Sequence, residues 1–209
     1  MLSRIDEIVY PNRCEVIEFT DPQRFVYPIF KNGRSSFLHH SIINNSKTLI
    51  NTQLKKLQEI HVVLREPKER FISGVNTFVF NSIRDDPKLD THTILHFVEN
   101  YLFLNRHYAP QLTWLINLSK YTSAKLSLHN LNFVTEVTGI NFKPAGEQKI
   151  LSPEVVKNLE NNLHNEMYLK LDNLLLELIG QSLTFTEILD YLKAKDPLAF
   201  SKIQCTALD

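Results

Sequence analysis

At 209 residues the chain has room for one sizeable α/β domain or, at most, two small ones. Its 43% hydrophobic and 22% charged content is ordinary for a globular protein. With 23 basic and 23 acidic residues and zero formal net charge, it lacks the basic excess of a protein that coats nucleic acid, so no nucleic-acid partner is expected. Cys14 and Cys205 have no metal-ligand spacing around them, so no metal is expected. They read as free thiols in a reducing compartment, with a bridge between the two ends as the alternative. Met1 to Glu7 lacks the apolar core of a signal peptide, and no run approaches the roughly 18 apolar residues of a bilayer span. A soluble, cytoplasmic chain is the expectation.

Residues 1–24 read as a lead-in, with turns at Pro11-Asn12 and Asp21-Pro22. Residues 25–31 form an aromatic and β-branched run that predicts a central strand, although Pro28 cannot donate to a ladder. Ser35 or Ser36 is placed to cap a helix through about Asn45. Leu49 and Ile50 read as a short strand and Ile60 to Leu64 as a stronger one. Pro67 then suits a first helical turn, and Phe71, Val75, Phe78 and Val79 supply that helix with one apolar face, ended by Asp85-Asp86-Pro87.

Asp90 or Thr91 is placed to cap a helix through about Leu104. Leu112 to Leu118 reads as a strand, and Asn130 to Thr138 as a short helix stopped by Gly139. Ser152-Pro153 opens a long helix with a stripe from Val156 to Leu178, closed by Gly180; a last helix runs from Thr184 to about Lys193. Strands alternating with helices predict one α/β domain over 1–209: three layers, with a central parallel sheet flanked by helices in a P-loop-like arrangement.

Two strand-to-helix junctions carry the functional signal. In the first, Lys31-Asn32-Gly33-Arg34-Ser35-Ser36 delivers the chain to a helix N-terminus, where amides without intrahelical partners and the helix dipole favour an anion. Gly33 permits positive φ or close approach, Lys31 offers a cation, and the serines offer hydroxyls. The glycine precedes no lysine, so this is not the Walker pattern. In the second, Arg65 stands at the carboxyl end of a strand, the edge at which open α/β sheets bind ligands, with Arg70 and Ser73 along the helix that follows. Arginine's fork suits a phosphate. Taken singly, each junction is equally an ordinary turn: Ser35 as a helix cap with Lys31 solvated, Arg65 paired with Glu66 or Glu69.

Together and in this order, the junctions resemble the sulfotransferase family. Phe30-Lys31-Asn32-Gly33-Arg34-Ser35-Ser36 is similar to its Pro-Lys-x-Gly-x-Thr-Ser turn, and Arg65-Glu66-Pro67-Lys68-Glu69-Arg70-Phe71-Ile72-Ser73 to its Arg-Asp-Pro-x-x-Arg-x-x-Ser segment. His107-Tyr108-Ala109-Pro110-Gln111 resembles the His-x-x-Pro-Gln of the carbohydrate, membrane-type branch, and Tyr168 to Asp172 its Tyr-x-x-Asp. The resemblance covers about 25–176. Phe30 stands where proline is common, Ser35 replaces threonine, and Arg34 replaces a small residue, where it either adds a contact to the ligand or crowds it.

The resemblance implies transfer of a sulfuryl group from 3′-phosphoadenosine 5′-phosphosulfate (PAPS) to an acceptor hydroxyl on a carbohydrate, leaving 3′-phosphoadenosine 5′-phosphate (PAP). It implies Lys31 for the charge on the bridging oxygen, Lys31 to Ser36 for the 5′ end of the nucleotide, and Arg65 with Ser73 for the 3′-phosphate. His107 is the implied general base; His39, His40 and His61 read as surface, packing or structural histidines. The rival readings are a nucleotide-binding protein of the same fold without transfer activity, and a small P-loop kinase, which would need a Walker lysine and acidic magnesium ligands.

Overall fold

The structure is a computed structural model that describes residues 14–29, 31–44, 46–88, 90–100, 107–139, 151–163 and 167–201. Phe30, Cys205, the extension of the Thr91 helix past Asn100 and the Tyr168 side chain lie outside the described residues. Among the described residues, six strands form one open sheet: β1 (Glu15–Thr20), β2 (Gln23–Tyr27), β3 (Lys47–Ile50), β4 (Glu59–Val63), β5 (Lys125–His129) and β6 (Ser182–Leu183), in the order β3-β1-β2-β4-β5-β6. The helices described are α1 (Arg34–Ile43), α2 (Pro67–Asp85), α3 (Thr91–Asn100), α4 (Gln111–Ser119), α5 (Asn132–Thr138), α6 (Pro153–Leu163), α7 (Met167–Leu176) and α8 (Phe185–Lys195), with a 3-10 turn at Asn51–Lys56. Among the described residues, no helix is long and apolar enough to cross a membrane.

The mixed α/β class stands, but the wholly parallel sheet does not. Among the described strands β2-β4-β5 run parallel, whereas β1 pairs antiparallel with β2 and β3, and β6 pairs antiparallel with β5. The lead-in before residue 25 contains β1, which a tight turn at Asp21-Pro22 folds back on β2. β2 stops at Tyr27, before Pro28, whose ring nitrogen has no hydrogen for a ladder.

Side chains alternate across a strand, so each face feeds its own core. On one face Val16, Tyr27, Ile60, Val62, Leu126 and Leu128 pack with Trp114 and Leu118 of α4, Leu171 and Leu175 of α7, and Ile188 and Leu192 of α8. On the other, Ile17, Phe19, Val26 and Val63 meet Phe37 of α1 and Phe133 and Val134 of α5. Phe71, Val75 and Val79 of α2 form a further cluster with Ile94, Val98, Tyr108, Leu151 and Leu159.

Leu112 to Leu118 is a helix instead of a strand. Pro110 holds its N-cap position, and the Asp172 carboxylate of α7 accepts from Gln111 N at 2.6 Å and Leu112 N at 2.8 Å. A cap supplied from 60 residues downstream leaves no local signal. Of the long helix expected from Ser152, α6 and α7 are helical over 153–163 and 167–176, and residues 164–166 lie outside the described residues. Gly139, at φ 66°, ends α5 as expected. Thr184 caps α8 and Glu187 reciprocates, a complete capping box.

Candidate functional site

Both junctions lie at the carboxyl ends of the adjacent parallel strands β2 and β4. In the first, Lys31 takes φ 66°, unusual for a residue with a β-carbon, and Gly33 takes φ 84° as the N-cap of α1. Neither Ser35 nor Ser36 caps the helix, because it begins one residue earlier, at Arg34, with no side-chain cap bond. Ser36 N and Phe37 N both donate to Gly33 O, at 3.0 and 3.1 Å. Ser35 is exposed and Ser36 half-buried. Gly33 is required twice: by its positive φ, and because a Cβ there would stand 2.5 Å from Val134 Cγ2 of α5.

In the second, Glu66 caps α2, accepting from Lys68 N at 3.1 Å and from Glu69 N, and Pro67 occupies the first helical position. The half-buried Arg65 guanidinium donates from Nη1 to Lys31 O at 3.3 Å and holds Nε 3.6 Å from Glu69 Oε2. One guanidinium therefore already touches both junctions. Ser73 is buried two turns into α2. Lys31 Nζ reaches the same helix and donates to Thr77 Oγ1, which donates in turn to Ser73 O at 3.2 Å. Lys31 and Arg65 thus both lie against α2, Arg65 at its start and the Lys31 ammonium at Thr77, one turn past Ser73. Arg34 leans the other way: its Nη2 lies 3.5 Å from Glu15 Oε2 of β1, so a sheet carboxylate balances its charge.

The two junctions are tied by a residue that sequence reasoning quoted but gave no role. Gln111, fully buried, accepts at Oε1 from Asn32 Nδ2 at 2.6 Å and from Arg65 N at 2.9 Å. Its Nε2 donates to Arg65 O at 2.9 Å. Asn32, equally buried, also donates to Val63 O at 2.8 Å. Gln111's own amide rests on Asp172, and Arg70 of α2 donates to Ala109 O. Asp172 and Arg70 are each 1% exposed. Burial pushes the Asp172 carboxyl up to about 6, against the pull of the two amides and of Arg70, and brings the Arg70 guanidinium down to about 10. Arg70, which shares a helix with Ser73, therefore faces inward as a structural cation. All four segments that carry the sequence resemblance meet in this one buried network.

His107 is half-buried at the head of the segment that ends in Gln111, and its carbonyl packs on α2 at Gly74. His39 is exposed on α1, and the ring of His40 lies 5.6 Å from Phe19. His61 sits in a separate cluster on the sheet: its Nδ1 is 2.9 Å from His129 Nε2, and His129 stacks on Phe133 at 3.8 Å. Burial lowers the pKa of both, His129 to about 4. Cys14 is a buried free thiol, pushed up to about 12 by that burial. Among the described residues, no group of three or more histidine, cysteine or acidic side chains could hold a metal ion.

Comparison of the chain with protein-family models, with curated proteins and with solved structures found no match.

Proposed function

We propose that the chain binds a nucleotide with anionic groups at both ends of its ribose, and that it transfers the sulfuryl group of PAPS to an acceptor hydroxyl on a carbohydrate. One observation carries the proposal. Lys31, Arg65 and Ser73, which come from two separate segments, converge at the carboxyl edge of β2 and β4, and a buried network holds their segments together. Two cations, several hydroxyls and the N-terminus of α1, which carries no side-chain cap, form a donor set suited to two separated phosphate-type groups. That donor set fits the nucleotide better than a single small anion, which would engage only one junction.

In this reading the amides and hydroxyls of the Lys31–Ser36 turn hold the 5′ end, and Arg65 with Ser73 holds the 3′-phosphate and so sets the nucleotide's register. PAPS supplies the activated sulfuryl group. Lys31 turns from Thr77 to the bridging oxygen and balances the charge that grows there as the sulfur–oxygen bond breaks. His107 accepts the proton that the acceptor hydroxyl loses as its oxygen bonds to sulfur. The P-loop-like arrangement belongs to this same reading: β2 and β4 with the helices that follow them form its phosphate-binding half. Arg34, balanced by Glu15, stays at the rim of the 5′ site as a second cation.

Calorimetric titration with PAP tests the assignment. The wild-type chain is expected to bind it, and absence of binding at millimolar ligand refutes the proposal. Arg65→Ala removes a charge-assisted hydrogen bond of about 1.5–3 kcal/mol, so PAP affinity falls roughly 10- to 150-fold while 5′-AMP affinity changes little. Equal losses for the two ligands would contradict the role given to Arg65.

A further inference from the structure

The contacts of Gln111 are too specific for a residue that only fills space. Its carboxamide pairs with the N–H and the C=O of Arg65 together, as a neighbouring strand's peptide group would. These two bonds also settle its orientation, since a backbone N–H only donates and a carbonyl only accepts. The same Oε1 then takes the Asn32 Nδ2 proton at 2.6 Å. Asn32 lies between Lys31 and Gly33 in the first junction, and Arg65 opens the second. A single side chain, anchored to α7 through Asp172, therefore sets the gap between them. Gln111, Asn32 and Asp172 are buried and Arg65 is half-buried, and in such a low-dielectric setting their bonds resist stretching and exchange with water.

We infer that Gln111 is a positioning residue for the ligand's two anionic ends: it fixes the separation of the Lys31 and Arg65 junctions and so selects a nucleoside 3′,5′-bisphosphate over either monophosphate. This rests on the reading of the two junctions as the nucleotide site. The selection follows from effective concentration. When both junctions are held at the spacing of the ligand's two phosphates, binding of one presents the other at high local concentration, a gain of about 10²- to 10⁴-fold over a single contact. When the spacing is loose, each junction still binds its own phosphate, but the joint gain shrinks.

The test compares the full-length wild type with Gln111→Met, which keeps the length and loses every polar contact, and Gln111→Glu, which keeps the acceptor and loses the donor to Arg65 O. Calorimetric affinities are measured for adenosine 3′,5′-bisphosphate, 5′-AMP and 3′-AMP. In Gln111→Met the advantage of the bisphosphate is expected to fall at least about tenfold, with each monophosphate changing less than about threefold. Gln111→Glu is expected to lose less, and it keeps the question decidable if the methionine variant does not fold. A folded variant that retains the wild-type preference overturns the inference.

Amide exchange of Arg65 gives a readout independent of any ligand. Its N–H is expected to exchange at least about tenfold faster in Gln111→Met, and unchanged protection also overturns the inference. A wild type that binds none of the three nucleotides overturns the site reading and the selection role together. Fast Arg65 exchange in the variant would then show that Gln111 still holds the junctions, so the two failures are told apart.

Discussion

Replacing Gly74 with alanine sets two physical effects of opposite sign against each other. Gly74 lies in the interior of α2, where helix propensity alone makes alanine better by about 1 kcal/mol. Yet an ideal Cβ there stands 2.2 Å from His107 O, 2.7 Å from His107 C and 2.9 Å from Tyr108 Cβ, against ordinary contact beginning at 3.4 Å. The obstacle is backbone, so no side-chain rotation relieves it. α2 and the 107–109 segment must separate by roughly 1 Å, a degree of overpacking that costs about 1–3 kcal/mol. The same shift stretches the bond from buried Arg70 Nη1 to Ala109 O, a contact to a charged donor worth about 1.5–3 kcal/mol. Set against the propensity gain, the expected net loss is about 1.5–5 kcal/mol.

Urea unfolding followed by the fluorescence of Trp114, the chain's one tryptophan and fully buried, measures it. Because Gln111 lies two residues past Ala109, nucleotide affinity should fall with stability. An alanine variant as stable as the wild type, or more stable, would show that the close approach of α2 to His107 is not real. The placement of Arg70 against Ala109 would fail with it.

Two further outcomes concern charge. Asp172 has a folded pKa of about 6 against an ordinary 3.8, so its contribution is fully present below 3.8 and is lost as pH rises through 6. Arg70→Met removes the cation that opposes this shift. The loss should then continue above pH 6, and the variant's urea midpoint should fall between pH 6 and 8 more than the wild type's; parallel profiles would mean that Arg70 does not act on Asp172. His129 has the opposite sign: its folded pKa of about 4 lies below the ordinary 6.5, so its stability contribution is present above 6.5 and lost as pH falls toward 4. His129→Asn should narrow the drop in urea midpoint between pH 7 and 5, and an unchanged drop would count against the half-buried pairing of His129 with His61.

What the sequence by itself determined is what nearest neighbours along the chain control. Pro67 starts α2, Gly139 ends α5, Thr184 with Glu187 caps α8, and the β-rich run at 60–64 becomes β4, because caps, φ limits and side-chain periodicity act within a few residues. The cations and hydroxyls of both junctions were legible for the same reason. Only the tertiary structure decided the rest. Glu15–Thr20 became a strand because β2 and β3 pair with it on both sides, and Leu112–Leu118 became a helix because Asp172 caps it from α7. Arg34 and Arg70, local candidates for an anion, were claimed by Glu15 and by Ala109 O. Gln111 shows no sign along the chain of its part in the site, since each of its side-chain partners lies at least 46 residues away in sequence and meets it only once the sheet and α7 are in place.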